Sequence, residues 1–253
     1  MQISATIIAF NERQKIAAAI KSVDWADEIL VVDSESTDDT RQIAESLGAK
    51  VIVQKWLGFS KQKQFAVDNA SFDWIFSLDA DEIVSEKLMK EIEAVRVNNE
   101  TVSAFRIPRL SFYMNRPIRH CGWYPDWQIR LFDRRNARWK DVLIHESVEV
   151  DGKIDKLEGD ILHYSWESSA QHHQLIGERY APLAARQNFQ NGKRTSPLKI
   201  ALAAPVAFLR IYIVKMGFLD GFAGFCIARF TAHFAFLKNL LLWEIQNESK
   251  NRS

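Results

Sequence analysis

Several features that would point to particular protein classes are missing from this 253-residue sequence. It has only two cysteines, Cys121 and Cys226, and they stand outside any metal-ligand spacing, which predicts neither a disulfide nor a zinc site. No Walker A loop and no G-x-G-x-x-G stretch occurs, so phosphate binding by a glycine-rich loop is disfavoured. The N-terminus has no basic segment before its short apolar run, and we expect no secretory signal.

Long apolar runs and a large net charge are also missing. No run reaches about 18 uncharged apolar residues, which argues against a conventional membrane-spanning helix. The formal net charge is only +1, but residues 1–100 hold 11 Lys and Arg against 18 Asp and Glu, and residues 101–253 hold 22 against 14. The basic second part suggests an anionic partner such as phosphate or acidic lipid, with an ordinary solvated surface as the alternative.

The first hundred residues alternate short β-rich runs with helical patterns, which is typical of a parallel sheet covered by helices. The predicted strands are 3–10, 28–33, 50–54 and 74–78, and the predicted helices are 13–23, 37–47, 61–70 and 86–97. Beyond them we predict strands at 102–112 and 128–132, a hairpin turn at Asp151-Gly152, and one long helix over 168–190. The expected fold class is α/β, with a Rossmann-like, mixed and mainly parallel sheet in residues 1–165 and a helical extension over 166–253.

Acidic residues follow the predicted strands. Asp33 ends the second strand, and Asp79-Ala80-Asp81 follows the fourth. Ligands of open α/β sheets bind at the carboxyl ends of the strands, and residues i and i+2 of an extended segment point the same way. Asp79 and Asp81 can therefore address one site, where hard oxygen ligands suit Mg²⁺ or Mn²⁺ and the ion can bridge nucleotide phosphates. A polar turn or a helix cap is the plain alternative.

Other side chains could complete such a site. Lys61 and Lys63 are candidates to neutralise nucleotide phosphates, although solvated helix lysines would look the same. Arg130 is predicted to pair with an acid or a phosphate. His145 is a candidate third metal ligand or diphosphate contact, and a structural histidine is the alternative reading.

Four sequence blocks together resemble the inverting glycosyltransferases of family 2, which have the GT-A fold. The blocks are Ala-Thr-Ile-Ile-Ala-Phe-Asn-Glu at 5–12, Ile-Leu-Val-Val-Asp-Ser-Glu-Ser-Thr-Asp-Asp-Thr at 29–40, residues 74–82 and residues 124–132. The resemblance implies that Asp33 contacts the nucleobase, and that Asp79 and Asp81 bind the donor ribose and a metal ion. The residues that would line the nucleotide pocket are Phe10, Asn11 and Glu12.

The resemblance also implies the mechanism. Inversion by a single displacement needs a general base that takes a proton from the acceptor hydroxyl. Many enzymes of the family carry this base as the Asp of a Glu-Asp pair shortly before an Arg-Leu. The matching residue here is Asp126, with Pro125 in place of the Glu, and Glu146 is the rival. A Mg²⁺ or Mn²⁺ ion would stabilise the charge that develops on the leaving diphosphate.

More narrowly, the chain resembles bacterial enzymes that attach a β-1,4-linked glucose to the inner core of lipopolysaccharide. The supporting features are Tyr124-Pro125-Asp126 before Arg130-Leu131-Phe132, the pair His145-Glu146, and a basic, apolar C-terminus. This resemblance implies UDP-glucose as donor, a glycolipid heptose as acceptor, and a location on the cytoplasmic face of the inner membrane, with no nucleic-acid partner.

Residues 197–243 have a composition of their own. They contain 7 of the 16 phenylalanines, and five cations stand among them against Asp220 alone. Long apolar runs broken by single cations predict helices that lie in a membrane interface, although a buried subunit interface in a homo-oligomer is the alternative.

Three other functions remain open at this level. A sugar nucleotidyltransferase also uses a Rossmann-like sheet, but the loop after the first strand lacks the glycines that such an enzyme would carry there. A non-catalytic nucleotide-sugar or lipid-binding protein would be expected to lack the strand-end acids. A transferase that acts on a lipid-linked phosphate acceptor would use the same site and the same C-terminal region.

Overall fold

A computed structural model describes residues 1–98, 102–141, 146–164 and 168–251. The chain forms two units. The sheet unit comprises Met1–Leu110 and Pro125–His163, and the helical unit comprises Ser111–Tyr124 and Tyr164–Ser253. The second junction lies near the division at residue 165 that the sequence suggests, and segment 111–124 belongs with the helices.

The first hundred residues alternate strands and helices as the sequence predicts. Their order is β1 (Ile3–Ala9), α1 (Ile16–Lys21), β2 (Glu28–Asp33), α2 (Thr40–Ser46), β3 (Lys50–Val53), α3 (Phe59–Asp68), β4 (Trp74–Asp79), β5 (Glu82–Val84) and α4 (Glu86–Asn98). The remaining strands are β6 (Ala104–Tyr113), β7 (Arg116–Pro117), β8 (Asp126–Asp133), β9 (Ala137–Trp139), β10 (Val148–Val150), β11 (Ile154–Lys156) and β12 (Ile161–His163).

The main sheet is mixed, in agreement with the predicted GT-A-type fold class. Its strand order in the described residues is β3-β2-β1-β4-β8-β6-β12-β5. The first four strands run parallel, whereas β8 is antiparallel to both β4 and β6. The carboxyl ends of β1, β2 and β4 therefore meet at one edge, which is the edge where the strand-end acids were expected to gather.

The parallel part of the sheet is the core of this unit. All seven residues of β1 are buried, as in strands covered by helices on both faces. Its side chains pack with Phe76 of β4 and Ile20 of α1 in one apolar cluster. Fully burying a side chain of this size contributes roughly 1.5–3 kcal/mol, so the cluster fixes the strand ends firmly.

One local prediction is wrong. Asp151-Gly152 does not join two strands of a hairpin: β10, before the turn, pairs with β9, and β11, after it, pairs in parallel with β6. The turn itself exists, and Gly152 has a φ of 119° that favours glycine. An alternating pattern on each side of a turn specifies strands but not their partners.

The helical unit contains α5 (Ser169–Leu175), α6 (Ala181–Gln190), α7 (Pro197–Leu209) and α8 (Gly221–Asn251). The predicted helix over 168–190 is present, but its middle, Ile176–Tyr180, is a π-helical turn. A second π-helical turn, Arg210–Val214, extends α7, and a 3₁₀ turn, Gly217–Asp220, leads into α8. The glycines at 217 and 221 thus lie between the two helices.

The two C-terminal helical stretches are more apolar over their length than the sequence reading allowed. Pro197–Val214 and Gly217–Glu248 are both long and apolar enough to cross a membrane, judged by length and composition only. The expectation that no stretch could span a membrane is therefore corrected. It counted every single cation as the end of an apolar run. None of Pro197–Val214 is buried within the described residues.

Candidate active site

The first of two cavities that share Asp79 opens at the carboxyl ends of β1 and β4. It has a volume of about 540 Å³. Phe10 and Glu12 line it from the segment after β1, and Asp79 and Asp81 line it from the segment after β4. Aromatic side chains, Trp56 and Phe59, form another part of its wall. Most of the wall is apolar, with acids at one side, which suits a flat base and a charged group in one ligand.

A second cavity of about 570 Å³ shares Asp79 and Phe59 with the first. Both candidate general bases, Asp126 and Glu146, line it, together with Lys63, Arg109 and Arg130. Asp79 thus stands in the wall of both cavities, and every catalytic candidate among the described residues faces one of them.

A network of ion pairs connects these side chains. Lys63 Nζ lies 2.9 Å from Asp79 Oδ1 and 3.0 Å from Glu146 Oε2, so it bridges two acids. Arg130 Nη2 lies 3.1 Å from Asp79 Oδ2 and 2.9 Å from Glu82 Oε1. Lys63 and Arg130 are only 4% and 2% exposed. Buried charges persist only when they are paired, which explains why each contacts two carboxylates.

The network also sets the charge of Asp79. Burial alone would raise the pKa of the Asp79 carboxyl, but the neighbouring Lys63 and Arg130 outweigh it and hold this pKa well below its usual range. Burial would likewise lower the pKa of Arg130, and the carboxylates of Glu82 and Asp79 raise it instead. The Asp79 carboxyl is therefore an anion near neutral pH and a poor proton acceptor.

Asp126 is held by a second set of hydrogen bonds. Arg109 Nε and Nη2 donate to Asp126 Oδ2 at 3.0 and 2.7 Å, and Gln128 Nε2 donates to Oδ1 at 2.8 Å. These bonds fix the direction of the carboxylate, and its remaining lone pairs can still accept a proton. Glu146 lies across the same cavity, where Lys63 Nζ donates to its Oε2 at 3.0 Å. Geometry alone keeps both acids as candidate bases.

Asp81 has a histidine beside it. His163 Nε2 lies 3.4 Å from Asp81 Oδ2, because His163 ends β12 and stands opposite Glu82 in the register with β5. No cluster of three His, Cys, Asp or Glu with metal-site geometry exists in the described part of the chain. A magnesium-like cation needs only one or two protein ligands when waters and substrate phosphates supply the rest, so Asp81 and His163 fit such an ion.

The charge balance agrees with this fit. Lys63, Arg109 and Arg130 supply three positive charges to four carboxylates, namely Asp79, Glu82, Asp126 and Glu146. Asp81 adds a fifth carboxylate at the wall of the first cavity. Two negative charges are left without a fixed cation among these groups, which matches the charge of one divalent ion.

Some predicted site residues stand away from the cavities. Lys61 is exposed and pairs with Asp141 at 3.4 Å. Asn11 adopts a φ of 54° and accepts a hydrogen bond from Thr37 N through its side chain, so it joins the ends of β1 and β2. Asp33 is fully buried, accepts from Ser36 N, and has one oxygen without a partner in the described residues. The roles assigned to these three residues stay predictions.

His145 lies outside the described residues, so its role as a metal ligand or diphosphate contact also stays a prediction. The role of Asp79 as a metal ligand also stays a prediction. In the structure, both oxygens of this carboxylate contact Lys63 or Arg130.

The structure adds residues that the sequence reading did not select. His163, Glu82 and Arg109 all stand at the cavities or in the network. His163 ends a short apolar strand, so the strand-end rule that selected Asp33 and Asp79 could have found it. Glu82 stands among the acids that follow the fourth strand but was given no role, and Arg109 carries no local signal; their partners in the network lie 48 and 17 residues away.

Comparison with known proteins identifies the family of this chain. The family model described as "Glycosyl transferase family 2" matches residues 4–149, and the chain belongs to that family. A glycosyltransferase of Rickettsia typhi, RT0209, is 36% identical over 99% of this chain and 89% of its own length.

A second relative carries a more specific name. The lipopolysaccharide core biosynthesis glycosyltransferase LpsC of Rhizobium meliloti is 28% identical over 94% of this chain and 90% of its own length. Among solved structures, S. aureus TarS 1-349 aligns over 98% of this chain and 92% of that chain, with 12% identity and a TM-score of 0.49. A likeness at that level says nothing about donor or acceptor.

Proposed function

We propose that this glycosyltransferase moves a sugar, with inversion, from a nucleotide donor to a glycolipid at the cytoplasmic face of the bacterial inner membrane. UDP-glucose is the proposed donor, and a heptose of the lipopolysaccharide core is the proposed acceptor. The relationship to LpsC supports the acceptor class. The observation that carries the proposal is the pair of cavities that share Asp79, one with Asp81 and His163 and the other with Asp126 and Glu146.

The first cavity is assigned to the donor. Its aromatic and apolar wall suits the base and ribose, and its acidic side suits a metal-bound diphosphate. Asp81 and His163 would hold a Mg²⁺ or Mn²⁺ ion, which supplies charge stabilisation at the leaving diphosphate. Asp79 stays anionic through Lys63 and Arg130 and keeps a fixed acceptor for donor hydroxyls between the two cavities.

The second cavity is assigned to the acceptor. A carboxylate there takes the proton of the acceptor hydroxyl as that oxygen attacks the anomeric carbon. Asp126 is the first candidate, because Arg109 and Gln128 orient it from both sides. Lys63, which bridges Asp79 and Glu146, and Arg130 would hold the surrounding charges in place during the reaction.

The test is a thermal-shift panel with UDP, GDP, CDP and ADP, each with and without Mn²⁺. A ligand that binds only the native state raises the melting temperature, and a concentration of 100 times Kd contributes about 2.7 kcal/mol. We expect UDP with Mn²⁺ to stabilise the protein, and Asp81→Ala to remove the Mn²⁺-dependent part. Asp24→Ala, at an exposed position after α1, is the matched control.

Each outcome has a clear meaning. A shift with UDP and Mn²⁺ that Asp81→Ala abolishes and Asp24→Ala retains would support both the donor class and the metal site. A shift with another nucleotide would replace UDP as the donor. No shift with any nucleotide would contradict the proposed function, because the first cavity would then not be a nucleotide site.

A further inference from the structure

The elbow between α7 and α8, residues 213–222, presents large apolar side chains to solvent. Val214 and Phe222 are 71% and 66% exposed. Four more exposed residues stand between or beside them: Ile213, Met216, Phe218 and Leu219. Exposed apolar side chains at this density are rare on a monomeric soluble protein, and such patches mark contact with a partner or a membrane.

The elbow is rigid, which distinguishes it from a loose apolar loop. Met216 adopts a left-handed conformation with a φ of 53°, and Gly217 is buried against Cys121 and the backbone of Ile211. A side chain at position 224 would overlap the backbone oxygen of Gly217, so only glycine allows this close approach. A surface held in one conformation loses little entropy when it binds.

Segment 111–124 holds the elbow from one side. Asp220 accepts hydrogen bonds from the backbone N–H of Arg119 and His120 at 3.2 and 2.9 Å, and its Oδ1 lies 2.9 Å from His120 Nδ1. Cys121 N donates to the carbonyl of Lys215 at 3.0 Å. Burial, followed by the nearby Asp220 carboxylate, raises the pKa of the Cys121 thiol to about 12, so this cysteine is a packing residue.

These bonds have a consequence for surface charge. Asp220 is the only acid in residues 111–124 and 197–243, and its side chain is only 5% exposed. The exposed cations in the same two segments are Arg116, Arg119, Lys199, Arg210, Lys215 and Arg229. The elbow and the segment that holds it therefore offer apolar side chains and the cations Arg116, Arg119 and Lys215, with the one acid, Asp220, turned inward.

We propose that the elbow is a docking surface for an anionic lipid bilayer. Apolar side chains enter the boundary between headgroups and acyl chains, and the cations contact acidic headgroups. A second copy of this chain would bring the same cations to the same face, and like charges would repel across such an interface. The inference deepens the proposed function, which expects a lipid-borne acceptor, but its evidence comes from other residues.

The test is sedimentation of the full-length protein with vesicles of phosphatidylcholine alone and of phosphatidylcholine with phosphatidylglycerol. We expect the wild type to bind the anionic vesicles at least tenfold more tightly and to be largely released in high salt. Each cation near the surface strengthens binding about fivefold. Arg210→Gln with Lys215→Gln should therefore weaken anionic binding by an order of magnitude or more.

A second variant tests the apolar part. Phe218→Asp with Phe222→Asp should reduce binding to both kinds of vesicle at least tenfold. Val97→Asp is the matched control, since Val97 is 82% exposed in the sheet unit, and it should leave binding unchanged. UDP-dependent thermal stabilisation of each variant shows that the sheet unit is folded, so a loss of vesicle binding is separable from a failure of the donor site.

Three results would overturn the proposal. The first is equal binding to neutral and anionic vesicles. The second is binding that survives the Phe218→Asp, Phe222→Asp variant. The third is a stable dimer that this variant dissociates, with no vesicle binding by the wild type, which would identify the elbow as a subunit interface.

Discussion

In the sheet unit, charged side chains stand inside and contact one another, as Arg130 and Glu82 do. In the helical unit, large apolar side chains stand outside, as Val214 and Phe222 do. Both arrangements are unfavourable for a protein that only has to be stable in water. Each becomes useful with a partner: the buried charges can stabilise charge in a reaction, and the exposed apolar side chains can enter a lipid surface.

The difference also shows what each unit does with its acids. The sheet unit keeps more carboxylates at its cavities than its fixed cations neutralise, which suits a bound divalent ion. In the helical unit, the one acid in residues 197–243 is Asp220, and it accepts hydrogen bonds from the backbone of segment 111–124. One unit therefore attracts cations, and the other presents cations.

The largest expected effect separates catalysis from folding in the sheet unit. Asp126→Asn removes a proton acceptor of nearly the same shape, and loss of a general base reduces turnover by about 10²–10⁴-fold. We expect this loss in sugar transfer, with UDP-dependent stabilisation unchanged. Glu146→Gln is the paired variant in the same cavity. If Glu146→Gln shows the large loss and Asp126→Asn does not, Glu146 is the base and the assignment reverses.

Sequence reasoning found most of the parallel half of this unit. β2 was predicted with its observed bounds, Glu28–Asp33, because a run of β-branched and apolar residues ended by an acid has few other readings. The strand-end rule then selected Asp79 and Asp81 correctly as cavity residues. These successes depend on local sequence and on one general rule about sheets.

The rest depends on pairings between distant residues. His163 reaches Asp81 only because β12 pairs with β5, and no local feature of either strand predicts that register. The predicted hairpin at Asp151-Gly152 failed for the same reason, since its two strands pair with β9 and β6. The inward turn of Asp220 was invisible too, because its partners lie about a hundred positions earlier.

The next effect tests whether the buried charges form one network. Arg130→Met keeps the unbranched apolar part of the side chain and removes the cation between Asp79 and Glu82. Breaking a buried pair by removing one partner costs about 3–5 kcal/mol, because the remaining charge is left uncompensated. We expect a loss of this size in the free energy of unfolding, measured by urea denaturation.

Arg138→Met provides the surface comparison. Arg138 pairs with Glu149 at 3.7 Å, and its side chain is 77% exposed, so its loss should change stability by no more than about 1 kcal/mol. Similar losses in the two variants would mean that the buried pairs contribute no more than surface pairs. The contrast between the two units would then not be reflected in the stability of the sheet unit.

The smallest expected effect is a fall in stability at mildly acidic pH that comes from the helical unit. His172 of the helical unit packs against Phe230, and burial lowers its pKa to about 4. The unfolded state, with an ordinary pKa near 6.5, therefore binds more protons between these values, and stability falls as pH drops through that window. From pH 7 to pH 5 the expected loss is about 2 kcal/mol.

Asp79 of the sheet unit acts at lower pH, because a carboxyl with a depressed pKa loses its stabilising effect only as pH falls below its unfolded value of about 4.

Unfolding measured at pH 7 and pH 5 in the wild type and in His172→Phe tests this difference. The variant keeps an aromatic ring beside Phe230 and removes the titrating group, so its stability should fall less between the two pH values than that of the wild type. Arg130→Met, which leaves His172 in place, should retain the wild-type fall. An equal fall in His172→Phe would assign the acid sensitivity to another histidine, and His233, whose pKa is also lowered by burial, is the next candidate in the helical unit.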